Sequence, residues 1–489
     1  MSRATSRREF LRRTGLLTSL LGVARAPFAL NLMSLGEAAA QSAPTDYKAL
    51  VCLFLTGGND PFNTVLATDA SSWRAYTTAR ASSLEVLALD PSKLLPISPV
   101  NARGRTFALN PRLARLQELF ALKRLAIVPN VGPLCQPTTK EQYNTSDYPR
   151  PPKLFSHSDQ QAVWQAFQPE GNLKGWGGRM GDLMLAANGS ASNFTCVSAT
   201  GNALWLVGNA ARQYQLGATG AIRMGSDGGN QVYGSTQLAS ALERVVGGSR
   251  SSHVLEADVV AVSQRSMNSE RILRGALPNP NVAPYGSAPF WMDPLLQYDN
   301  PLTYTKMYSP LAHQFQIIAR MITASQALGV KRQVFFASLS SFDTHQNQLR
   351  DHANLLSQVS HALGYFDAVL GGLGMRNQVT TFTSSEFGRT LGTNGGGSDH
   401  GWGSHHFVMG GAVKGGDLYG RFPDYSLRSA SGDDFLSPDL LGNGALLPAL
   451  SVDQYAATLA RWFGVSETDL ELIFPNLSHF SVKDLGFMA

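Results

Sequence analysis

The run from Ala49 to Leu55, "ALVCLFL", is apolar at every position and stops at Thr56-Gly57-Gly58. A strand with one wet face alternates apolar and polar residues. An unbroken run suits a strand covered on both faces, as in a parallel sheet sandwiched between helices. Four more runs share this texture: "RLAIVPNVG" (Arg124 to Gly132), "QVFFASLSS" (Gln333 to Ser341), "QVTTFTSS" (Gln378 to Ser385) and "HFVMGG" (His406 to Gly411). Helical patterns fall between them, in "NPRLARLQELFALK" and in the long segment from about Gln348 to Leu373. The alternation predicts an α/β protein with a mostly parallel central sheet. From about 188 to 300, Gly, Ser and Asn become frequent, which reads as an insertion or cap with scattered helices such as "QLASALERVV". The closing "VDQYAATLARWFGV" predicts an amphipathic helix lying on the sheet.

The first 43 residues read differently. Arg7-Arg8 and Phe10-Leu11 precede a short apolar segment and the small residues Ala38-Ala39-Ala40, the order of a twin-arginine export signal. A cytosolic amphipathic helix is the competing reading. On the export reading, residues 44–489 form a single domain, released by the Tat export machinery to the periplasm or outside the cell. The whole chain carries a net charge of +5, and six arginines against two glutamates before Gln41 supply four of those charges. The remainder is nearly neutral and has no basic run, so a nucleic-acid groove is not expected. Nothing after the signal is long and apolar enough to cross a membrane. Cys52, Cys135 and Cys196 form no C-x-x-C pair and therefore no thiolate zinc site. Cys52 reads as a core residue, and a Cys135–Cys196 disulfide is open in an oxidising compartment.

Several strand runs end in polar clusters. The first gives Asn59 and Asp60; the run from Gln333 gives Asp343 and His345. The run from Gln378 gives Glu386 and Arg389, followed after glycines by Asp399, His400, His405 and His406. Parallel sheets bind ligands outside the carboxyl ends of their strands. Carboxylates mixed with imidazoles suit zinc, manganese or iron rather than calcium. Each cluster also has a plainer reading: Asn59-Asp60 as a turn, and Asp343-x-His345 as a turn with a satisfied histidine. Ser156, in "KLFSHSDQQAVWQAF", is either an N-cap with Asp159 three residues on, or a hydroxyl nucleophile at a helix N-terminus.

Together the twin-arginine leader, "FLTGGNDPFNT", "FSHSDQQAVW", "FDTHQNQ", "SSEFGRT" with "DHGWGSHHFVMGGAVKGG", and the closing "YAATLARWFGV" resemble the exported bacterial family catalogued as domain of unknown function 1501. That family is grouped with the alkaline phosphatase-like superfamily. The resemblance implies a three-layer α/β/α sandwich that binds one or two divalent metal ions, zinc or manganese, and hydrolyses a small anionic ester of phosphate or sulfate. It implies Asp60, Asp343, His345, Asp399, His400 and His405 as metal ligands, with Glu386 beside them where a ligand pair is expected. Ser156 is then the nucleophile, and Arg389 the group that holds the ester's anionic oxygens. The formylglycine sulfatase motif is not met, because "CQPTT" from Cys135 lacks its Ser and Arg. A non-catalytic periplasmic binding or assembly protein on the same fold is the alternative.

Overall fold

The computed structural model describes residues 46–81, 85–171, 173–217, 220–221, 231–247 and 253–489. The export signal expected over 1–43 lies outside the described residues. The strands that form the main sheet and the rim hairpin begin with β1 Lys48–Leu55, β2 Leu125–Gly132, β3 Cys196–Ser198, β4 Gln213–Gly217, β5 Gly220–Ala221, β6 Arg332–Leu339 and β7 Val379–Ser384. There follow β8 Arg389–Thr393, β9 Ser398–His400, β10 Ser404–Gly410 and β11 Leu450–Ser451. Nine of them form one sheet in the order β11-β2-β10-β7-β1-β6-β3-β4-β5. The five apolar runs are all strands of this sheet.

The sheet is mostly parallel. β1 runs parallel to β6 and β7, and β6 to β3. The strand at "HFVMGG" is the exception among the five, because β10 pairs antiparallel with both β7 and β2. Its start, not its end, therefore faces the rim where the parallel strands finish, and the Gly-rich loop ahead of it arrives at that rim.

Helices cover both faces. Ala49, Val51, Leu53 and Leu55 of β1 enter one core with Phe315, Ile318 and Ile322 of α3 (Pro310–Leu328) and Leu355, Val359 and Phe366 of α4 (Gln348–Gly372). Leu50, Cys52 and Phe54 enter the other, with Trp164 of α1 (His157–Ala166), Trp176 and Met180 of α2 (Trp176–Asn188), and Tyr455, Leu459 and Phe463 of α5 (Val452–Phe463). The period-two alternation of an all-apolar strand thus splits between two buried faces, and α5 covers the sheet as expected.

The stretch expected as an insertion is only partly outside the sheet. β3 and β4 lie within it and extend the sheet beyond β6, alongside a 23-residue helix, Val254–Ala276. All three cysteines are free, which corrects the open Cys135–Cys196 pairing. The Cys196 thiol faces the apolar core, so close to α2 that a Cβ on Gly181 would meet its Sγ at 2.5 Å. No described helix is long and apolar enough to cross a membrane.

Candidate metal centre

The polar clusters meet where β1, β6 and β7 end. Gly57 and Gly58 have φ of +118° and +85°, a backbone open to glycine at little cost. A Cβ on Gly57 would lie 2.3 Å from the Asp343 nitrogen. The segment after β6 can therefore lie flat on the end of β1, where the Phe342 N–H donates to the Thr56 carbonyl at 3.0 Å. This places Asp343 on the rim. The β8–β9 hairpin pairs Arg389 with His400 and brings that imidazole over the same point, stacked on Phe387 with ring centroids 4.7 Å apart. His157 arrives from the first turn of α1.

Three imidazoles turn their Nε2 atoms towards one carboxylate. His157 Nε2 lies 3.5 Å from Asp343 Oδ2; His400 and His345 Nε2 lie 3.4 and 3.1 Å from Asp343 Oδ1. His345 and His400 Nε2 are 3.1 Å apart. One donor atom each from His157, Asp343 and His400 falls within 4.8 Å of the other two. The opposite ring nitrogens are occupied. His157 Nδ1 meets Glu386 Oε1 at 2.9 Å and His400 Nδ1 meets the Phe155 carbonyl at 2.8 Å. Oε1 also accepts from the Gly57 N–H (2.8 Å) and the Gln161 amide (3.1 Å), so it acts as an acceptor. A carbonyl only accepts. Both histidines therefore donate through Nδ1, and in the neutral ring each Nε2 keeps its lone pair.

This donor set fits a transition-metal cation. Metal-binding histidines characteristically anchor their second nitrogen on a carboxylate or carbonyl, and His157 Nε2 is buried with no hydrogen-bond partner among the described residues. Zinc and manganese both accept imidazole with carboxylate. The hydrogen bond to Glu386 raises the His157 pKa against the effect of burial. Burial lowers that of His400, opposed by its bond to Phe155. Burial pulls Asp343 upwards, but the hydrogen bond and charge of Arg389 prevail and hold it below the usual carboxylate value.

The other expected site residues are placed as follows. Asp60 is fully buried and spent on structure: Arg80 reaches it through two bonds of 2.7 and 2.8 Å, Gln348 Nε2 donates at 2.5 Å, and its Oδ1 caps the Phe62 N–H at 3.1 Å. A buried guanidinium already supplies the positive charge that a metal would bring. His405 is also buried, its Nδ1 accepting the Asn130 N–H at 3.0 Å and its ring lying on Phe422. Neither belongs to the convergent group. Asp399 lies behind His345, 3.7 Å from Nδ1, and accepts from Asn394 and Asn443. Arg389 is fully buried and donates to the carbonyls of Gly57, Gly58 and Ser398 and to Asp343, so it fixes Asp343 instead of facing a substrate. Ser156 stands at the N-cap of α1, but its hydroxyl donates to Asp159 Oδ2 at 2.8 Å and no helix N–H bonds to it. Sequence reasoning passed over His157, although it lies inside a quoted motif next to the serine that drew attention.

Residues 292–474 match the family model described as "Protein of unknown function (DUF1501)". That span holds Asp343, His345, Glu386 and His400 but not Asp60 or His157. No curated protein matches the chain. A solved structure titled "Crystal structure of Ps i-CgsB in complex with k-i-k-neocarrahexaose" aligns over 88% of this chain and 76% of that one, at 10% identity and a TM-score of 0.33. A likeness of that degree bears on neither fold nor function.

Proposed function

We propose that this protein is an exported metal-dependent hydrolase of phosphate or sulfate esters, built on an alkaline phosphatase-like core and delivered by the Tat machinery to the periplasm or beyond. The observation that carries the metal is the pair of histidines, His157 and His400, whose Nδ1 atoms are occupied and whose Nε2 lone pairs face Asp343. His345 completes the set at 3.1 Å. A divalent cation held there, zinc or manganese, would supply Lewis acidity towards an ester oxygen. The chain's own contribution is orientation: Glu386 and the Phe155 carbonyl fix the two rings, and Arg389 fixes Asp343. Ester specificity rests on the family resemblance.

Two observations favour the non-catalytic alternative, a metal-holding binding or assembly protein: the Ser156 hydroxyl is directed at Asp159, and the Arg389 guanidinium is fully engaged. Metal analysis and a substrate panel separate the readings. Protein purified after export should carry close to one equivalent of zinc or manganese, and Asp343→Asn should lose it. Hydrolysis of an aryl phosphate, a phosphodiester or an aryl sulfate, abolished in Asp343→Asn, supports the hydrolase. Full metal loading with no turnover of any ester supports the binding protein, and absence of metal removes both.

A further inference from the structure

A cavity of about 510 Å³ opens at the same rim as the metal centre. Its walls come from the end of β1 and from Thr56 just after it, from Phe336 and Ser338 of β6, from the loop after β3, and from Ser158 and Gln161 of α1. Ser158 follows His157 directly, and Gln161 lines the cavity while its amide donates to Glu386. Gln161 therefore links the cavity wall to the carboxylate that holds His157. Its volume lies in the range of about 300–1,000 Å³ typical of small-molecule sites.

The lining is specific in its chemistry. Among the described residues no Lys, Arg or His lines it, and the one charged residue is Glu170. An anionic group placed there would meet no cationic side chain of the described lining and would face the Glu170 carboxylate. The hydroxyls of Thr56, Ser158 and Thr200 line the walls and bond to no other described residue. Phe54 and Phe336, with ring centroids 6.1 Å apart, add an apolar surface. Hydroxyls and amides over an apolar floor match a neutral ring that carries its own hydroxyls.

We infer that this cavity binds the neutral, polyhydroxylated portion of the substrate, a sugar-like ring, while the esterified anion lies at the metal centre. The inference rests on the hydrolase reading for the placement of the anion, but binding to the cavity can be measured without turnover. The test uses the full exported protein and saturation-transfer NMR at pH 7 with methyl glucoside as the neutral probe and glucuronate as an anionic ring of similar shape. Methyl glucoside should show transfer, and glucuronate should bind about fivefold or more weakly, because nothing in the cavity offsets its charge. Gly201→Trp should fill the cavity, since a Cβ at Gly201 meets nothing within 4 Å, and should weaken methyl glucoside about tenfold or more. Thr200→Val, which keeps shape and removes one hydroxyl, should weaken it by a few-fold. Absence of transfer, glucuronate binding equal to methyl glucoside, or a signal that survives Gly201→Trp in folded protein overturns the inference. Binding that behaves as expected in a protein that takes up no metal would instead refute the hydrolase reading and leave the cavity assignment standing.

Discussion

Two polar clusters lie at the rim where β1 and β6 end, one holding Asp60 and the other Asp343, and they differ in how their charges are satisfied. In the first, Asp60 is enclosed and saturated by Arg80, Gln348 and the Phe62 N–H, and its neighbour Asn59 accepts through Oδ1 from His352 Nε2 at 2.9 Å. In the second, Asp343 is 44% exposed at its side chain, and the imidazole nitrogens around it face it at 3.1 to 3.5 Å. Both contain acids beside histidines. Only the second has, among the described residues, a histidine nitrogen poised as an acceptor with no hydrogen-bond partner, His157 Nε2, which is what separates a structural ion pair from a candidate cation site. In "GGND" the glycines admit Asp343, and the acid is a buried ion-pair partner of Arg80.

The strongest way to break this comparison is to remove the guanidinium from the first cluster. Arg80→Met strands the Asp60 carboxylate in a dry site and should cost about 3–5 kcal/mol in urea denaturation. Adding Asp60→Asn should restore much of that loss, and the folded fraction of either variant should still bind metal. A cost below about 1 kcal/mol would mean that Asp60 does not depend on Arg80. Next in size is a pH effect. Burial lowers the His352 pKa from 6.5 to about 4. The unfolded chain takes up this proton as pH falls through 6.5 while the folded protein does not, so the contribution is complete above 6.5 and is lost towards pH 4. Over that window it amounts to roughly 3 kcal/mol. Denaturation midpoints at pH 7 and pH 5 should diverge less in His352→Gln than in the parent; an identical divergence would mean that His352 does not titrate this way.

How much of this could be read in the chain differs between fold and site. Strands with unbroken apolar runs declared themselves because double-sided burial tolerates no polar position, and the polar clusters that follow them include Asp343, His345 and His400, which the structure brings together. The direction of β10 was hidden, since apolar content is the same whichever way a strand runs. β3, only three residues long within a Gly- and Ser-rich stretch, carries too little pattern to register as a sheet member. The pairing of Asp60 was not legible because its partner Arg80 is 20 residues away at the end of an unrelated helix, and nothing local distinguishes a carboxylate awaiting a metal from one awaiting a guanidinium. His157 was overlooked for a similar reason: a helix start with Ser and Asp is explained by capping, and the bond to Glu386 spans 229 residues.

Glu386→Gln sharpens the second cluster by changing only what stands behind one histidine. The loss of an anionic partner for His157 Nδ1 should weaken zinc binding by about 10–100-fold, or about 1.4–2.7 kcal/mol, in competition with a chromophoric chelator. Unchanged affinity would remove His157 from the ligand set and leave Asp343 with the two remaining imidazoles.

The smallest effect is expected at Ser156, one residue from His157. Its hydroxyl contributes no capping bond to α1, and its one hydrogen bond runs to Asp159, away from the convergent nitrogens. Ser156→Ala should therefore alter stability by no more than about 0.5 kcal/mol and change the rate of ester hydrolysis by less than about twofold. A covalent nucleophile behaves otherwise, because its removal deletes a bond formed in the reaction and typically costs several orders of magnitude in kcat. A fall of about a thousandfold, with metal content and fold intact, would show that the serine leaves Asp159 during turnover and that the chemistry is shared between the start of α1 and the rim carboxylate. A rate that stays within twofold confines the reaction to groups the resting structure already brings together.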